Sequence, residues 1–302
     1  MAKVLILGGS GMLGHTLFTL THEQGEHDVY ATVRSKGLIS RNCSALQANR
    51  IFNGADADRP ESIYTVIREL RPDIIVNCIG IIKQMPEAED AVKTIRINAL
   101  FPHLIANLCE ELHIRMIHIS TDCVFDGRKG MYTENDPTSA TDLYGRTKQL
   151  GEIVDSARVL TLRTSIIGHE LKNYVSLVGW LLRQKGSING YTQAVFSGFP
   201  TVELSRIIQR YIFPSPELHG LYHISAKPIS KYELLKKVAI RYGLDVDIAP
   251  YAEFKENRSL DSSKFRRAAG YNPPQWDELI EDMYQDYQKF KRRQGDASDV
   301  YI

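Results

Sequence analysis

Short runs of apolar and β-branched residues alternate with helix-like stretches along the first half of the chain. Five such runs fill residues 3–8, 28–33, 73–80, 115–120 and 158–165. Their apolar positions are nearly continuous, which is typical of strands buried on both faces. The intervening stretches predict helices that begin near Met12, Pro60, Glu87 (extending to about Leu112) and Leu143. This alternation predicts a parallel, doubly wound α/β sheet.

After Gly168 the alternation of strand-like and helix-like stretches becomes less regular, although the sequence still indicates further helices and strands. The pattern predicts a helix over 173–186, a strand over 220–225, and helices over 230–243 and 276–290. Ser230 followed by Glu233 forms a capping box for the first of the last two helices, and Gly243 ends it. The apolar residues of the final helix recur at helical spacing, which indicates a face packed on the core.

Composition and charge narrow the kinds of molecule that the protein can bind. The chain has 302 residues, of which 43% are hydrophobic, and its 37 basic residues nearly balance 36 acidic ones. A net charge of +1 gives no basic field that would gather nucleic acid or a membrane surface. The longest apolar run, near residues 73–82, is too short to span a bilayer. The expected partner is therefore a small molecule.

The four cysteines are at positions 43, 78, 109 and 123, with no C-x-x-C pair and no metal-ligand spacing with histidine. Cys78 and Cys109 lie within apolar patterns, so we expect buried free thiols and no metal site. The N-terminal stretch also lacks the pattern of a secretory signal. Both features favour a reducing cytoplasm.

Glycines punctuate the junction of the first strand and the first helix. Gly8, Gly11 and Gly14 are spaced G-x-x-G-x-x-G rather than G-x-G-x-x-G. Glycines there permit a tight turn and let the backbone approach a pyrophosphate at the helix N-terminus. An ordinary turn would also contain glycine, but the strand-before, helix-after context favours dinucleotide binding. The predicted cofactor loop comprises Gly8, Ser10, Gly11, Met12, Leu13 and Gly14.

A tyrosine and a lysine, Tyr144 and Lys148, are four residues apart in a predicted helix and so share one face. A nearby ammonium favours the phenolate and lowers the phenol pKa from its usual value of about 10. Such a phenol can exchange a proton with an alcohol or a developing alkoxide. The plainer alternative is a pair of surface helix residues.

Polar residues follow the strand of residues 115–120, where doubly wound sheets gather ligands at the carboxyl ends of strands. The hydroxyl of Thr121 could hold the same substrate oxygen as Tyr144, and Asp122 could orient a sugar hydroxyl. Asp122 could instead form a turn, which is the better interpretation of Asp126 with Gly127.

The residue at the end of the second strand bears on the choice of cofactor. An acid there binds the ribose 2′-hydroxyl of NAD. This strand ends in Arg34, followed by Ser35 and Lys36, while Asp28 lies at its other end. An arginine can pair with a 2′-phosphate in a bidentate manner, so NADPH is expected to be preferred over NADH.

Taken together, these motifs resemble an extended short-chain dehydrogenase/reductase. More narrowly, the stretches STDCVFDG, YGRTKQLGE, LRTSIIG, FPT and GLYHISAKPIS resemble the dTDP-4-dehydrorhamnose reductase family over nearly the whole chain. The resemblance implies a Rossmann-type domain over 1–165, to which 196–225 returns. It also implies a smaller substrate-binding domain over 166–195 and 226–302. The sequence leaves open whether the chain forms a homodimer.

The resemblance also implies the chemistry: a nicotinamide passes a hydride to the keto carbon of a nucleotide-linked 4-keto-6-deoxy sugar. Tyr144 would protonate the oxygen, Thr121 would hold it, and Lys148 would bind the nicotinamide ribose and tune Tyr144. Cys78, Ile79 and Gly80 would line the cofactor, and Asn98 would be structural. Residues 189–193 and the cations Lys227, Arg258 and Lys264 are candidates for the sugar and its diphosphate.

Two departures from the family pattern concern the substrate. Cys123 stands where relatives commonly have tyrosine, and Ile166 where they tend to have tryptophan. Both positions resemble substrate-contacting ones, so another 4-keto sugar nucleotide, such as a UDP-linked N-acetylated one, fits at least as well as dTDP-4-dehydrorhamnose.

Two alternatives share this pattern. Epimerases and dehydratases have the same fold and Tyr–Lys pair, but the 4,6-dehydratases resemble T-D-E, and Cys123 removes that carboxylate. A silent cofactor-binding partner of methionine adenosyltransferase also belongs to the resembled family, and the intact Thr121, Tyr144 and Lys148 do not exclude it.

Overall fold

The structure is a computed structural model that describes residues 1–35, 49–172 and 174–293. Its centre is a sheet of seven strands, all paired in parallel, in the order β10-β6-β5-β4-β1-β2-β3. These strands are β1 (Lys3–Leu7), β2 (Asp28–Val33), β3 (Ile51–Asn53), β4 (Ile74–Asn77), β5 (Arg115–Thr121), β6 (Val159–Thr164) and β10 (Gly220–His223). The prediction of a doubly wound parallel sheet is confirmed.

Helices cover both faces of this sheet, which explains why its strands read as nearly continuous apolar runs. Along β1, Val4 and Ile6 enter one core cluster while Leu5 and Leu7 enter another. The first core is closed by α1 (Met12–Gln24), α7 (Thr201–Ile207) and α10 (Trp276–Arg293). The second is closed by α2 (Glu61–Leu70) and by α3 (Ala91–Thr94), which continues through a π-helical turn (Ile95–Leu100) into α4 (Phe101–Leu112).

A smaller unit lies beyond β6. Its sheet has the order β11-β8-β12, formed by β8 (Gly186–Phe196), β11 (Ile229–Ser230) and β12 (Val246–Asn257). The helices of this half are α6 (Leu177–Leu181), α8 (Lys231–Tyr242) and α9 (Ser263–Ala269). In a separate two-stranded sheet, β7 (Ile166–Ile167) pairs with β9 (Phe199–Pro200). The chain then returns to the large sheet, where β10 pairs with β6.

The prediction of a helix over 173–186 is wrong in extent. Only Leu177–Leu181 is helical, and Gly186, at φ +72°, turns the chain into the long strand β8. Residues 189–193, the candidates for sugar contacts, therefore lie inside a strand paired in parallel with β12. The strand β3 was not predicted because three residues are too few to establish a period.

The helix expected to begin near Glu87 begins at Ala91, after a 3₁₀ turn over Pro86–Glu89. The carboxylate of Asp90 caps it by accepting the N–H of Lys93. Within the ranges that the structure describes, no helix combines the length and apolarity needed to cross a membrane. The same ranges hold no cluster of His, Cys, Asp and Glu suited to a metal ion.

Candidate active site at the carboxyl edge of the sheet

The glycine loop joins β1 to α1 and is fixed to the neighbouring strand. Gly8 has φ +85°, in the left-handed region that favours glycine. The N–H of Gly9 donates to the carbonyl of Thr32 in β2 at 2.8 Å, and the N–H of Gly11 donates to the Gly8 carbonyl at 2.9 Å. The loop therefore lies against the carboxyl end of β2.

The glycine loop packs tightly against α1 and β2 because its glycines carry no side chains. A Cβ at Gly14 would lie 2.2 Å from the carbonyl oxygen of Gly8, and one at Gly9 would lie 2.7 Å from the Cβ of Ala31. Among the described residues, no side chain caps the N-terminus of α1 at Gly11. Free N–H groups at a helix start attract a pyrophosphate, so the loop fits a dinucleotide cofactor.

The carboxyl end of β2 offers a cation to that cofactor. Arg34 is exposed directly after the strand, next to the glycine loop. Asp28, at the other end of β2, forms an ion pair with Arg50 instead. Ser35 is also exposed, while Lys36 lies outside the described residues.

Thr121 ends β5 in an extended conformation, and the chain turns sharply after it. The Thr121 hydroxyl accepts the N–H of Cys123 at 3.1 Å and donates to the carboxylate of Asp122 at 3.2 Å. Asp122 is buried, and burial raises the pKa of its carboxyl despite the nearby charge of Arg258.

The helix that carries the tyrosine, α5 (Leu143–Leu150), packs directly on this turn. Its N-cap is Asp142, whose carboxylate accepts the N–H of Gly145 at 2.7 Å. A Cβ at Gly145 would lie 2.2 Å from the carbonyl oxygen of Cys123, so only glycine permits this approach. The contact brings Tyr144 beside Thr121.

The pKa of the Tyr144 phenol is raised, which contradicts the expectation that a nearby ammonium lowers it. Burial raises its pKa, and the neighbouring Cys123 and Asp122 raise it further, while the Thr121 hydroxyl lowers it through a hydrogen bond. A raised pKa keeps the phenol protonated throughout the neutral range. Tyr144 can therefore donate a proton to an oxygen held beside Thr121.

Lys148 lies one turn further along α5 and is buried. Its ammonium donates to the carbonyl of Ile119 in β5 at 2.8 Å. Burial lowers the pKa of Lys148 to about 8, although Glu152 and Cys78 act in the opposite direction. A Cβ at Gly80 would be 3.9 Å from Nζ, so the loop after β4 borders this lysine.

The loop after β4 is fixed by an asparagine from the π-helical turn. Asn98 accepts the N–H of Ile81 at 2.8 Å and donates to its carbonyl at 2.9 Å. Ile79 is held by a bond from its N–H to the side chain of Asn77 at 3.1 Å. Cys78, Ile79 and Gly80 thus border the glycine loop on one side and Lys148 on the other.

The glycine loop and the Thr–Tyr–Lys group thus meet at one edge of the sheet, and a family profile covers the whole of this arrangement. The family profile described as "RmlD substrate binding domain" matches residues 2–289. The chain belongs to this family.

Two curated proteins and one solved structure illustrate what this RmlD-family chain is similar to. A dTDP-4-dehydrorhamnose reductase of Aggregatibacter actinomycetemcomitans is 23% identical, covering 94% of this chain and 98% of that protein. A "Methionine adenosyltransferase 2 subunit beta" of Danio rerio is 27% identical, covering 80% and 74%. The structure also resembles that of a Bacillus anthracis dTDP-4-dehydrorhamnose reductase in complex with NADP (TM-score 0.75, 23% identity, covering 95% and 99%). The comparisons confirm the resemblance and agree with the prediction of a nucleotide-sugar oxidoreductase.

The predicted substrate-contacting residues of this RmlD-family chain include two uncharged residues, Cys123 and Ile166, and three cations, Arg258, Lys227 and Lys264. Cys123 and Ile166 are half-buried, and Arg258 donates through Nε to the carbonyl of Phe125, four residues after Thr121, at 2.8 Å. Lys227 donates to the side chain of Gln275 at 3.1 Å, and Lys264 donates to the carbonyl of Leu221 at 2.7 Å. Of the three cations, Arg258 is thus the one that contacts the loop after Thr121.

Sequence reasoning missed two charged groups at this edge. Glu152 and Arg163 form a buried ion pair, and Ser120 in β5 donates to Glu152 at 2.6 Å. Lys83, in the loop after β4, lies above the ring of Tyr144. Glu152 and Arg163 stand in two of the quoted motifs, but the sequence does not show that they pair, and Lys83 is 59 residues from its partner Asp142.

Proposed function

We propose that the protein is an NADPH-dependent reductase of a nucleotide-linked 4-keto-6-deoxy sugar. The observation that carries this proposal is the meeting of Thr121, Tyr144 and Lys148 at the carboxyl edge of the sheet, beside the glycine loop. The pair of hydroxyls suits a carbonyl oxygen that gains a proton. Membership of the RmlD family supports a nucleotide sugar as the substrate class.

In this mechanism, the chain's own residues bind, orient and protonate. The bound cofactor supplies a hydride to the keto carbon. Thr121 and Tyr144 hold the carbonyl oxygen between their hydroxyls, and Tyr144 donates its proton as the oxygen becomes an alkoxide. Lys148, one helical turn from Tyr144 and fixed by Ile119, carries the positive charge that would stabilise the phenolate that remains.

The smaller unit, built from 166–195 and from residue 226 onward, supplies the sugar side of the cleft in this proposal. Arg258 enters the large domain's loop from the end of β12 and is suited to an anionic part of the substrate. Cys123 and Ile166 would set the shape of the sugar pocket. Another 4-keto sugar nucleotide remains as well supported as dTDP-4-dehydrorhamnose.

Arg34→Ala should reduce the preference for NADPH over NADH, because an arginine at the end of β2 can pair with the 2′-phosphate. We expect a loss of about tenfold or more in kcat/KM for NADPH, the cost of one charged hydrogen-bonded contact, with little change for NADH. Lys185→Ala, an exposed cation removed from a different part of the chain, is the control. Equal kcat/KM values for the two cofactors in the wild-type protein would contradict the proposal.

A regulatory subunit is the second candidate, supported by the similarity to the Danio rerio protein. The two functions are separated by one assay: a panel of dTDP- and UDP-linked 4-keto sugars is supplied with NADPH, and cofactor oxidation is followed by absorbance. The reductase proposal expects turnover with at least one sugar. No turnover with any of them, together with co-purification of a methionine adenosyltransferase, would favour the regulatory role.

A further inference from the structure

A second lysine, Lys83, reaches the catalytic helix from the loop after β4. Its ammonium lies 2.6 Å from the carboxylate of Asp142 and 5.8 Å from the centre of the Tyr144 ring. The other oxygen of the same carboxylate caps α5 through Gly145. One side chain thus links the loop that borders Lys148 to the start of the helix that carries Tyr144.

The backbone that presents Lys83 is itself held in place. Asn98 fixes Ile81 through two hydrogen bonds, and the N–H of Met85 donates to the carbonyl of Ile82 at 3.0 Å, which closes a turn around Lys83. The ammonium of Lys83 therefore extends from a backbone that hydrogen bonds hold in place. About a third of the Lys83 side chain is exposed, so its charge is partly screened.

The charge matters because Asp142 stands close to the phenol. Burial opposes the ionisation of Asp142, yet the hydrogen bonds from Gly145 and Lys83 outweigh it, and its pKa is lowered. The resulting carboxylate raises the pKa of Tyr144, whereas Lys83 lowers the pKa of the adjacent Cys123 thiol. Among the described residues, the charged or titratable groups beside Tyr144 are Lys83, Asp122, Cys123 and Asp142, with Lys148 one turn further along α5. From the smaller unit, Arg258 acts on Asp142 and Cys123, and Glu256 acts on Asp122.

We propose that Lys83 is a positioning residue whose ion pair with Asp142 fixes the start of α5 and neutralises a carboxylate beside Tyr144. The inference rests on the proposed role of Tyr144 as the acid. It assigns Lys83 and Asp142 no contact with the reacting atoms. The proposal predicts opposite effects for the two charges. Removing the ammonium of Lys83 makes the electrostatic potential at Tyr144 more negative, whereas removing the carboxylate of Asp142 makes it more positive.

The first test is the pH dependence of kcat/KM, whose alkaline limb reports loss of a proton from Tyr144 or from Lys148, which has a pKa of about 8; a nearby cation lowers both pKa values and a nearby carboxylate raises them. Lys83→Met leaves Asp142 uncompensated, so we expect the alkaline limb to move up by about half a pH unit and the rate to fall about twofold to fivefold. Asp142→Asn keeps a side chain that can cap α5 but removes the negative charge, so the alkaline limb should move to lower pH. The double variant should return it towards the wild-type position, and Lys83→Arg should behave as wild type.

The second test needs neither substrate nor cofactor, so it stands if the proposed function fails. The alkylation rate of Cys123 by iodoacetamide, mapped by mass spectrometry, reports the local potential because the thiolate reacts. It should fall in Lys83→Met and rise in Asp142→Asn. The matched control is Lys237→Met, whose ammonium also lies 2.6 Å from a carboxylate, that of Asp277.

Shifts of the same sign in both single variants, or none in either measurement, would overturn the inference and leave the pair a purely structural one. Shifted alkylation rates without sugar turnover in the wild-type protein would uphold the electrostatic coupling and contradict the proposed function instead.

Discussion

Tyr144→Phe should lower kcat/KM for the accepted sugar nucleotide by about a hundredfold or more, the usual contribution of a general acid. The substitution removes the phenol oxygen and leaves the ring packed on the turn after β5. Because the glycine loop and Arg34 remain, the affinity for NADPH should change little. Steady-state kinetics and a fluorescence titration of NADPH measure the two quantities separately.

Tyr211→Phe is the matched control for this result. Tyr211 packs against Tyr271. It precedes Ile212, whose carbonyl accepts a hydrogen bond from Arg115 at the opposite, amino end of β5. This variant should retain wild-type turnover. Near-normal turnover in Tyr144→Phe would remove Tyr144 from the mechanism, and a large loss of NADPH affinity would indicate a role in cofactor binding instead.

Glu152→Ala should destabilise the fold by about 3 to 5 kcal/mol, since it leaves the charge of Arg163 buried and uncompensated. The two side chains are only 5% and 6% exposed. Arg163 donates to both carboxylate oxygens, at 2.8 and 2.7 Å, and Ser120 donates to one of them at 2.6 Å. Chemical denaturation monitored by circular dichroism measures the free energy of unfolding.

Glu111→Ala provides the comparison, because Glu111 pairs with Arg68 at 4.0 Å on the surface. Removing that exposed partner should change the free energy of unfolding by less than about 1 kcal/mol. Similar losses in the two variants would contradict the special importance of the buried pair. Since Ser120 directly precedes Thr121, the folded fraction of Glu152→Ala should also show reduced turnover.

The part of the fold that sequence could predict is the part in which local pattern and tertiary environment agree. The strands of the large sheet are covered on both faces, so their apolar runs are visible without knowing their neighbours. At the start of β8, the local sequence pattern and the tertiary environment favour different structures. Its residues 186–193 follow an apolar helical stretch, and their extended conformation depends on pairing with β12, some sixty residues later in the chain.

In the candidate site, too, local pairs could be predicted from the sequence and pairs distant in the chain could not. Tyr144 and Lys148 could be paired from sequence because the helical repeat places them on one face. Lys83 and Asp142 could not, since 59 residues separate them and only the meeting of the β4 loop with α5 joins them. Likewise, Arg258 could not be distinguished from Lys227 and Lys264, because charge alone does not indicate which loop a cation contacts.

Transfer of deuterium from cofactor to sugar tests the central claim most directly. The protein is incubated with the accepted 4-keto sugar nucleotide and with NADPH deuterated at the reactive carbon of the nicotinamide, and the product is analysed by mass spectrometry and NMR. The account predicts one deuterium at the new carbinol carbon for each NADPH oxidised, and almost none when Tyr144→Phe replaces the wild-type protein. An unlabelled product formed without net oxidation of NADPH would contradict reduction and indicate an epimerase or dehydratase.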